Sequence, residues 1–220
     1  YRDKIKDLTI DEIKDLKKIG RDKLNQILAH RKDQYGNPIY IPDEAVVFDF
    51  KRRFVSYKRP LMPFEDIEKL KTILKENDGH YILTGKVHQG DHEMRKKLNE
   101  VLGRIEFDAD LRDRVHYIQD YDEELGFALA AGSDIAINVP IVGLEACGTS
   151  FMKDIANLKV LVSTADGGVA DLSPPPCLEV SGANYDSEVN SLYEQMSRAG
   201  RIIKNDNWRK TQIERQLNGY

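Results

Sequence analysis

The sequence contains little cysteine and no long apolar run. Its only two cysteines, Cys147 and Cys177, lack a second cysteine or a histidine at metal-ligand spacing, so we predict neither a metal site nor a disulfide framework. No apolar run reaches the roughly 18 residues that a membrane-spanning helix needs, and the first residues are charged where a secretion signal would be apolar. We therefore expect a soluble cytoplasmic protein that has no membrane partner.

A strong excess of one charge is also missing. The 220 residues include 37 acidic and 33 basic side chains, which gives a net charge of −4. This balance does not favour general binding to nucleic acid. Hydrophobic residues make up 40% of the chain and charged residues 32%, which is typical of a globular domain with an ordinary buried core.

Short apolar runs alternate with amphipathic segments along most of the chain. Five runs have the length and composition of buried strands: residues 45–50, 81–84, 115–118, 135–139 and 160–163. Strand and helix in strict alternation predict a doubly wound, Rossmann-like α/β fold with a mostly parallel sheet. Residues 166–183, with a double glycine and a triple proline, are predicted to be an irregular loop.

Helices are predicted at both ends of the chain. Residues 1–32 are interpreted as a leading helix, and Thr9 with Glu12 forms a capping box near its start. Two closing helices are predicted within residues 186–220, at about 186–198 and 205–217. The sequence has no internal repeat, so residues 1–220 are interpreted as one domain.

The common nucleotide-binding and hydrolase motifs are absent. Residues 143–150 imitate a phosphate-binding P-loop, but Thr149 stands where that motif requires a lysine. No Gly-x-Gly-x-x-Gly segment follows a strand, and no Gly-x-Ser-x-Gly nucleophile elbow is present. These patterns argue against a P-loop NTPase, a standard dinucleotide enzyme and a serine hydrolase.

Polar and basic residues follow the predicted strands at the point where each strand ends. They are Arg53 and Lys58 after the first strand, Gly85 and Lys86 after the second, Tyr121 after the third, residues 145–153 after the fourth and Asp166-Gly167 after the fifth. The carboxyl ends of parallel strands face one crevice. Because arginine and lysine bind phosphate oxygens there, the pattern predicts an anion-binding α/β domain.

Three segments resemble a known family. Residues 145–153 read Glu-Ala-Cys-Gly-Thr-Ser-Phe-Met-Lys, which resembles the Glu-Ala-Ser-Gly-Thr-x-x-Met-Lys signature of the α-glucan (glycogen, starch or maltodextrin) phosphorylases. Residues 52–59, Arg-Arg-Phe-Val-Ser-Tyr-Lys-Arg, and residues 85–88, Gly-Lys-Val-His, are similar to segments of the shorter bacterial and archaeal members. The resemblance spans about residues 44–171.

This resemblance implies the carboxyl-terminal lobe of a two-lobed GT-B type glycosyltransferase. The family's reaction is phosphorolysis of α-1,4-glucan by inorganic phosphate to α-D-glucose 1-phosphate, with pyridoxal 5′-phosphate as the cofactor. The chain resembles only the cofactor-bearing lobe, so we expect a fragment that lacks the amino-terminal lobe and is inactive alone. Residues 1–32 would connect the two lobes, and the full-length enzyme would be a homo-oligomer.

The resemblance also assigns roles to individual residues. It makes Lys153 the lysine that carries the cofactor as a Schiff base. The other cofactor-binding residues would be Thr149, Ser150, Tyr121 and Lys58. The substrate-binding residues would be Arg53, Arg52, Glu145, Cys147 and Gly148, and the catalytic residues Lys58, Arg53 and Glu145. Cys147 replaces the usual serine and Phe151 a glycine or asparagine, which removes a hydroxyl group and adds bulk beside the cofactor.

Two other functions fit the same sequence features. A nucleotide-sugar glycosyltransferase of this fold also places a carboxylate and basic residues over a diphosphate, but it does not require Lys153. A non-catalytic phosphate- or sugar-binding module would keep the fold without turnover. Formation of a Schiff base at Lys153 distinguishes the phosphorylase from both.

Overall fold

A six-stranded sheet forms the centre of the molecule in the computed structural model, which describes residues 7–219. The strands are β1 (Val47–Lys51), β2 (His80–Thr84), β3 (Val115–Ile118), β4 (Ile135–Asn138), β5 (Val160–Ser163) and β6 (Leu178–Glu179). Their order is β3-β2-β1-β4-β5-β6, and every neighbouring pair is parallel. This is the doubly wound order, so the predicted fold class is confirmed.

Helices cover both faces of the sheet. They are α1 (Ile10–Leu28), α2 (Ile67–Glu76), α3 (His92–Glu106), α4 (Ala109–Arg112), α5 (Glu123–Gly132), α6 (Ser150–Ala156), α7 (Tyr185–Ile203) and α8 (Asp206–Gly219). Side chains of Asp66, Asp91 and Asp122 accept backbone N–H groups at the starts of α2, α3 and α5. The predicted capping box of Thr9 and Glu12 begins α1. Within residues 7–219, no helix has the length and apolar content needed to cross a membrane.

The core lies on the two faces of the sheet. On one face, Phe48, Leu83 and Ile137 belong to a cluster that includes the apolar sides of α2, α3 and α7. On the other face, Val47 and Ile82 pack with α1 and α5, while a further cluster joins the sheet to α6 and α8. Strands buried on both faces are typical of parallel sheets and explain the continuous apolar runs in the sequence.

The structure corrects the prediction for residues 166–183. This segment contains a 3-10 helix (Gly167–Val169) and the edge strand β6, which pairs with β5 through Val162 and Leu178. A strand of two residues is too short to produce a periodic pattern, and the preceding prolines concealed it.

The leading helix is also shorter than predicted. It ends at Leu28, and a tight turn follows in which the Asp33 carboxylate accepts the N–H groups of Tyr35 and Asn37. This turn provides local hydrogen bonds that compete with continuation of the helix. The first six residues of the predicted element lie outside the described part of the chain.

Candidate functional site at the carboxyl edge of the sheet

Three loops meet where β1, β4 and β5 end. They are the β1–α2 loop (residues 52–66), the β4–α6 loop (residues 139–149) and the β5–β6 loop (residues 164–177). Parallel strands place these loops on the same edge of the sheet. The Ile141 N–H donates to the Tyr57 carbonyl oxygen at 2.7 Å, which connects the first two loops directly.

An ion pair between Lys58 and Glu145 lies at the centre of this edge. Lys58 belongs to a 3-10 helix (Ser56–Lys58) in the β1–α2 loop, and Glu145 lies in the β4–α6 loop. Both side chains are about nine-tenths buried, with 9% and 11% of their surface exposed. The Lys58 Nζ also lies 5.0 Å from the centroid of the Tyr57 ring. Lys58 and Glu145, to which the family resemblance assigned catalytic roles, are thus in direct contact.

The guanidinium group of Arg52 lies beside this pair and has an unused donor. Arg52 is buried, and its Nη2 has no hydrogen-bond partner within residues 7–219. A Cβ atom on Gly148 would lie 3.0 Å from Arg52 Nη1 and 3.5 Å from the Glu145 carboxyl carbon. Burial lowers the pKa of Arg52, while Asp154 and Glu145 oppose that shift. A buried cation with a free donor beside a glycine is suited to bind an anion.

Gly85 lies against the backbone of Arg52. It has a φ of +156°, and a Cβ atom there would overlap the Arg52 carbonyl oxygen and lie 2.7 Å from the Phe54 ring. Next to it, the Phe54 N–H donates to the Lys86 carbonyl oxygen at 3.1 Å. The glycine in the Gly-Lys-Val-His segment is therefore required by close approach of two backbones.

Four charged residues form a buried group next to these loops. Lys51 and Lys159 each pair with both Asp49 and Asp154, and the distances are 3.2 Å for Lys51–Asp49 and 3.1 Å for Lys159–Asp154. Burial raises the pKa of Asp154, but the two ammonium groups outweigh it and hold that pKa at about 2. Sequence reasoning missed this quartet. The feature that could have indicated it is a charged residue within the apolar run 45–50, Asp49, followed directly by Lys51, because a charge in a buried strand needs a partner.

Lys153 lies apart from the cations that the sequence grouped with it. Its side chain is exposed on α6, and its Nζ lies 4.9 Å from the centroid of the Phe127 ring on α5. It makes no hydrogen bond or ion pair to Arg52, Lys58 or Glu145 among the described residues. The amine is therefore exposed to solvent.

The remaining predicted residues surround this edge. Thr149, Cys147 and Arg53 are exposed, and Ser150 begins α6. Tyr121 is half-buried, with its hydroxyl oxygen 2.7 Å from the position of a Cβ on Gly126, and burial raises its pKa. The side chain of Arg53 makes no hydrogen bond or ion pair within residues 7–219. The structure thus separates two adjacent arginines into one buried and one exposed cation.

Asp166 connects the third loop to the site. Its carboxylate accepts the Gly143 N–H at 2.9 Å and the Glu145 N–H at 2.8 Å. Burial raises the pKa of Asp166, but these and neighbouring backbone N–H groups more than offset the effect, so the pKa is lowered. The sequence predicted Asp166-Gly167 at this edge but assigned them no task.

The six-stranded parallel sheet with helices on both faces defines a doubly wound, Rossmann-like α/β domain, and a buried arginine and a lysine–glutamate pair lie at the carboxyl ends of its strands. The profile of the carbohydrate phosphorylase family matches residues 4–212. The chain belongs to the carbohydrate phosphorylase family, and the resemblance found in its motifs is confirmed.

Individual relatives agree with this assignment. A glycogen phosphorylase of Aquifex aeolicus is 34% identical over 131 residues, which is 59% of this chain and 19% of that protein. A maltodextrin phosphorylase of Thermococcus litoralis is 35% identical over 132 residues, 58% of this chain and 15% of that protein. An uncharacterised protein of Methanocaldococcus jannaschii is 27% identical over 191 residues, 84% of this chain and 36% of that protein. The chain thus spans well under half the length of these relatives.

Proposed function

We propose that this chain is the cofactor- and phosphate-binding lobe of an α-glucan phosphorylase. The reaction would be phosphorolysis of an α-1,4-glucan by inorganic phosphate to α-D-glucose 1-phosphate. The observation that carries the proposal is the buried Arg52 guanidinium, whose unused donor lies beside Gly148 and the Lys58–Glu145 pair in a member of this family. The other lobe of the cleft, a homo-oligomeric assembly and a cytoplasmic location belong to the same proposal.

The residues at this edge fit pyridoxal 5′-phosphate. The resemblance assigned Arg52 to substrate, but we assign it instead to the cofactor phosphate, because its buried guanidinium group has an unused donor and Gly148 leaves space for a phosphate oxygen. Thr149 and Ser150 supply hydroxyl and backbone donors next to this glycine. Lys153, whose amine is exposed, would hold the cofactor through its aldehyde group. When bound, the cofactor would supply its phosphate group for acid–base chemistry.

The three proposed catalytic side chains would have separate tasks. Lys58 holds positive charge inside the site and would balance a phosphate dianion. Arg53, which is exposed, would bind the substrate phosphate from the open side of the edge. The Glu145 carboxylate would accept hydroxyl groups of the glucosyl unit, with Cys147 and Gly148 beside the sugar. Tyr121 would lie against the cofactor ring.

Titration of the purified chain with pyridoxal 5′-phosphate tests the cofactor assignment. We expect a protonated Schiff-base absorbance band that borohydride fixes on the peptide containing Lys153. The Lys153→Ala variant should lose the band. Lys96→Ala, which removes an exposed lysine of α3, should retain it. A wild-type chain whose reduced label lies on another lysine would contradict the proposal.

Comparison with pyridoxal, which lacks the phosphate, tests Arg52 separately. A charged hydrogen bond is worth about 1.5–3 kcal/mol, so we expect wild type to prefer the phosphorylated form by about tenfold or more. Arg52→Met should remove most of this preference while leaving pyridoxal binding unchanged. Arg53→Met serves as the matched control, because the exposed neighbour is assigned to substrate. Equal loss of preference in both variants would argue against the assigned roles.

A further inference from the structure

We propose that Asp166 and Gly167 form a positioning pair that holds Glu145 in the orientation needed to contact Lys58 and the sugar. The inference rests on the proposed function for its catalytic consequence. Its structural part depends only on the contacts between the β5–β6 loop and the β4–α6 loop.

Asp166 uses both carboxylate oxygens on the β4–α6 loop. Oδ1 accepts from Gly143 N–H at 2.9 Å, and Oδ2 accepts from Glu145 N–H at 2.8 Å. The two amides lie on either side of Leu144, so a single side chain restrains the backbone that leads into Glu145. Because hydrogen bonds to a charged acceptor are stronger than neutral ones, this contact restrains the loop more than a serine or asparagine would.

Gly167 lets the two loops approach at backbone distance. It has a φ of +50°, and a Cβ atom there would overlap the Glu145 carbonyl oxygen and lie 2.6 Å from that of Ala146. Glycine is therefore required both for the left-handed backbone and for the contact. Asp166 therefore accepts the N–H group of Glu145, and Gly167 lies against the carbonyl oxygen of the same residue.

Side-chain packing does not hold this part of the β4–α6 loop. Val142 and Leu144 are each 58% exposed, and Ile141 is 42% exposed. Gly143 has a φ of +89°, and no atom lies within 4 Å of a Cβ position there among the described residues. Other hydrogen bonds hold the start of the loop, where Ile141 N–H donates to the Tyr57 carbonyl oxygen. Since apolar burial is small, we infer that the two hydrogen bonds of Asp166 restrain residues 143–145, and hence the direction of the Glu145 side chain toward Lys58.

The Asp166→Asn variant tests the proposal with little change of shape. An amide nitrogen cannot accept a hydrogen bond, so one of the two contacts is lost. We expect hydrogen exchange to accelerate by about tenfold at the amide that loses its acceptor, Gly143 or Glu145. We expect glucose 1-phosphate to bind the cofactor-loaded chain about tenfold more weakly, while the Schiff-base band at Lys153 keeps its intensity. Asp171→Asn, an exposed change in the same loop, should match wild type in all three measurements.

Each outcome separates the two proposals. Unchanged amide exchange in Asp166→Asn overturns the positioning pair, whatever ligand the site binds. Faster exchange with unchanged glucose 1-phosphate affinity overturns its role in substrate binding and leaves Asp166 structural. Failure of the wild-type chain to bind pyridoxal 5′-phosphate overturns the proposed function instead. Recovery of slow exchange in Asp166→Glu would support the requirement for a carboxylate with two acceptors.

Discussion

Lys153 and Asp154 are neighbours in the sequence with opposite environments. Lys153 faces solvent, whereas Asp154 is 1% exposed and pairs with Lys51 and Lys159. Adjacent residues on a helix point about 100° apart, so one side chain can face solvent while the next anchors the helix to the sheet. Lys51 is the residue before Arg52. The quartet therefore connects α6, which carries Lys153, to the end of β1, which leads into the buried Arg52.

Replacing Asp154 with asparagine should strongly destabilise the fold. The change leaves two buried ammonium groups facing one carboxylate, and breaking a buried pair costs about 3–5 kcal/mol. Urea unfolding monitored by circular dichroism measures the loss. Glu93→Gln is the matched control, because it breaks an exposed pair with Lys97 and should cost well under about 1 kcal/mol. Similar losses in both variants would contradict the importance of the quartet.

At the scale of elements, α1 crosses the end of α5 at backbone distance. A Cβ on Gly20 would overlap the Ala131 carbonyl oxygen, and a Cβ on Gly132 would lie 2.6 Å from the Gly20 carbonyl oxygen. Lys17 and Arg21 on α1 donate to the carbonyl oxygens of residues 131–133. The two glycines thus allow α1 to cap the carboxyl end of α5.

We expect Gly20→Ala to destabilise the protein by about 1–3 kcal/mol, because the added methyl group separates the two helices. Alanine is about 1 kcal/mol more favourable than glycine in a helix, so a net loss of stability would come from the disturbed contact between α1 and α5. Gly103→Ala on α3 is the control, since no atom lies within 4 Å of its Cβ position in the described structure. Thermal unfolding should show a lower midpoint for the first variant and a slightly higher one for the second. Stabilisation by both would disprove the close crossing.

For the whole molecule, stability should fall in mild acid because of two stacked histidines. His80 Nδ1 lies 3.0 Å from His116 Nε2. The ring centroids are 5.3 Å apart, and the angle between the ring planes is 7°. Burial lowers the pKa of His116 to about 4; burial and then the charge of His116 lower that of His80 to about 3. Below about pH 6.5 the unfolded chain binds protons that the folded chain does not, so stability present at neutral pH is lost as the pH falls.

The depressed pKa of His116 alone corresponds to about 3 kcal/mol lost between about pH 6.5 and pH 4. Urea unfolding at several values in this range measures the slope. His116→Phe should roughly halve it, and His92→Asn, an exposed change, should leave it unaltered. A free energy of unfolding that stays constant between about pH 7 and pH 5 would refute the prediction.

The local pattern of residues was sufficient for most of the fold. Five of the six strands were predicted within a few residues, because a short apolar run between turn residues is typical of a buried strand. Within residues 7–219, the elements that were missed are short: β6, the helix α4 (Ala109–Arg112) and 3-10 helices such as Gly167–Val169. Segments of two to four residues are too short to show a periodic pattern. The segments at the strand ends also identified the family. Topology placed them at one edge without knowledge of any side-chain contact.

The sequence by itself determined the doubly wound class, the family and the segments that follow the five predicted strands at the carboxyl edge. Only the tertiary structure decided which charged residues meet there. It buried Arg52 and exposed Arg53, paired Lys58 with Glu145 across 87 positions, and joined Lys51 to Asp154 across 103. The spacing of apolar residues predicts the local conformation of a segment and its buried face. Ion pairing and burial of charged residues depend instead on which distant segments the sheet brings together.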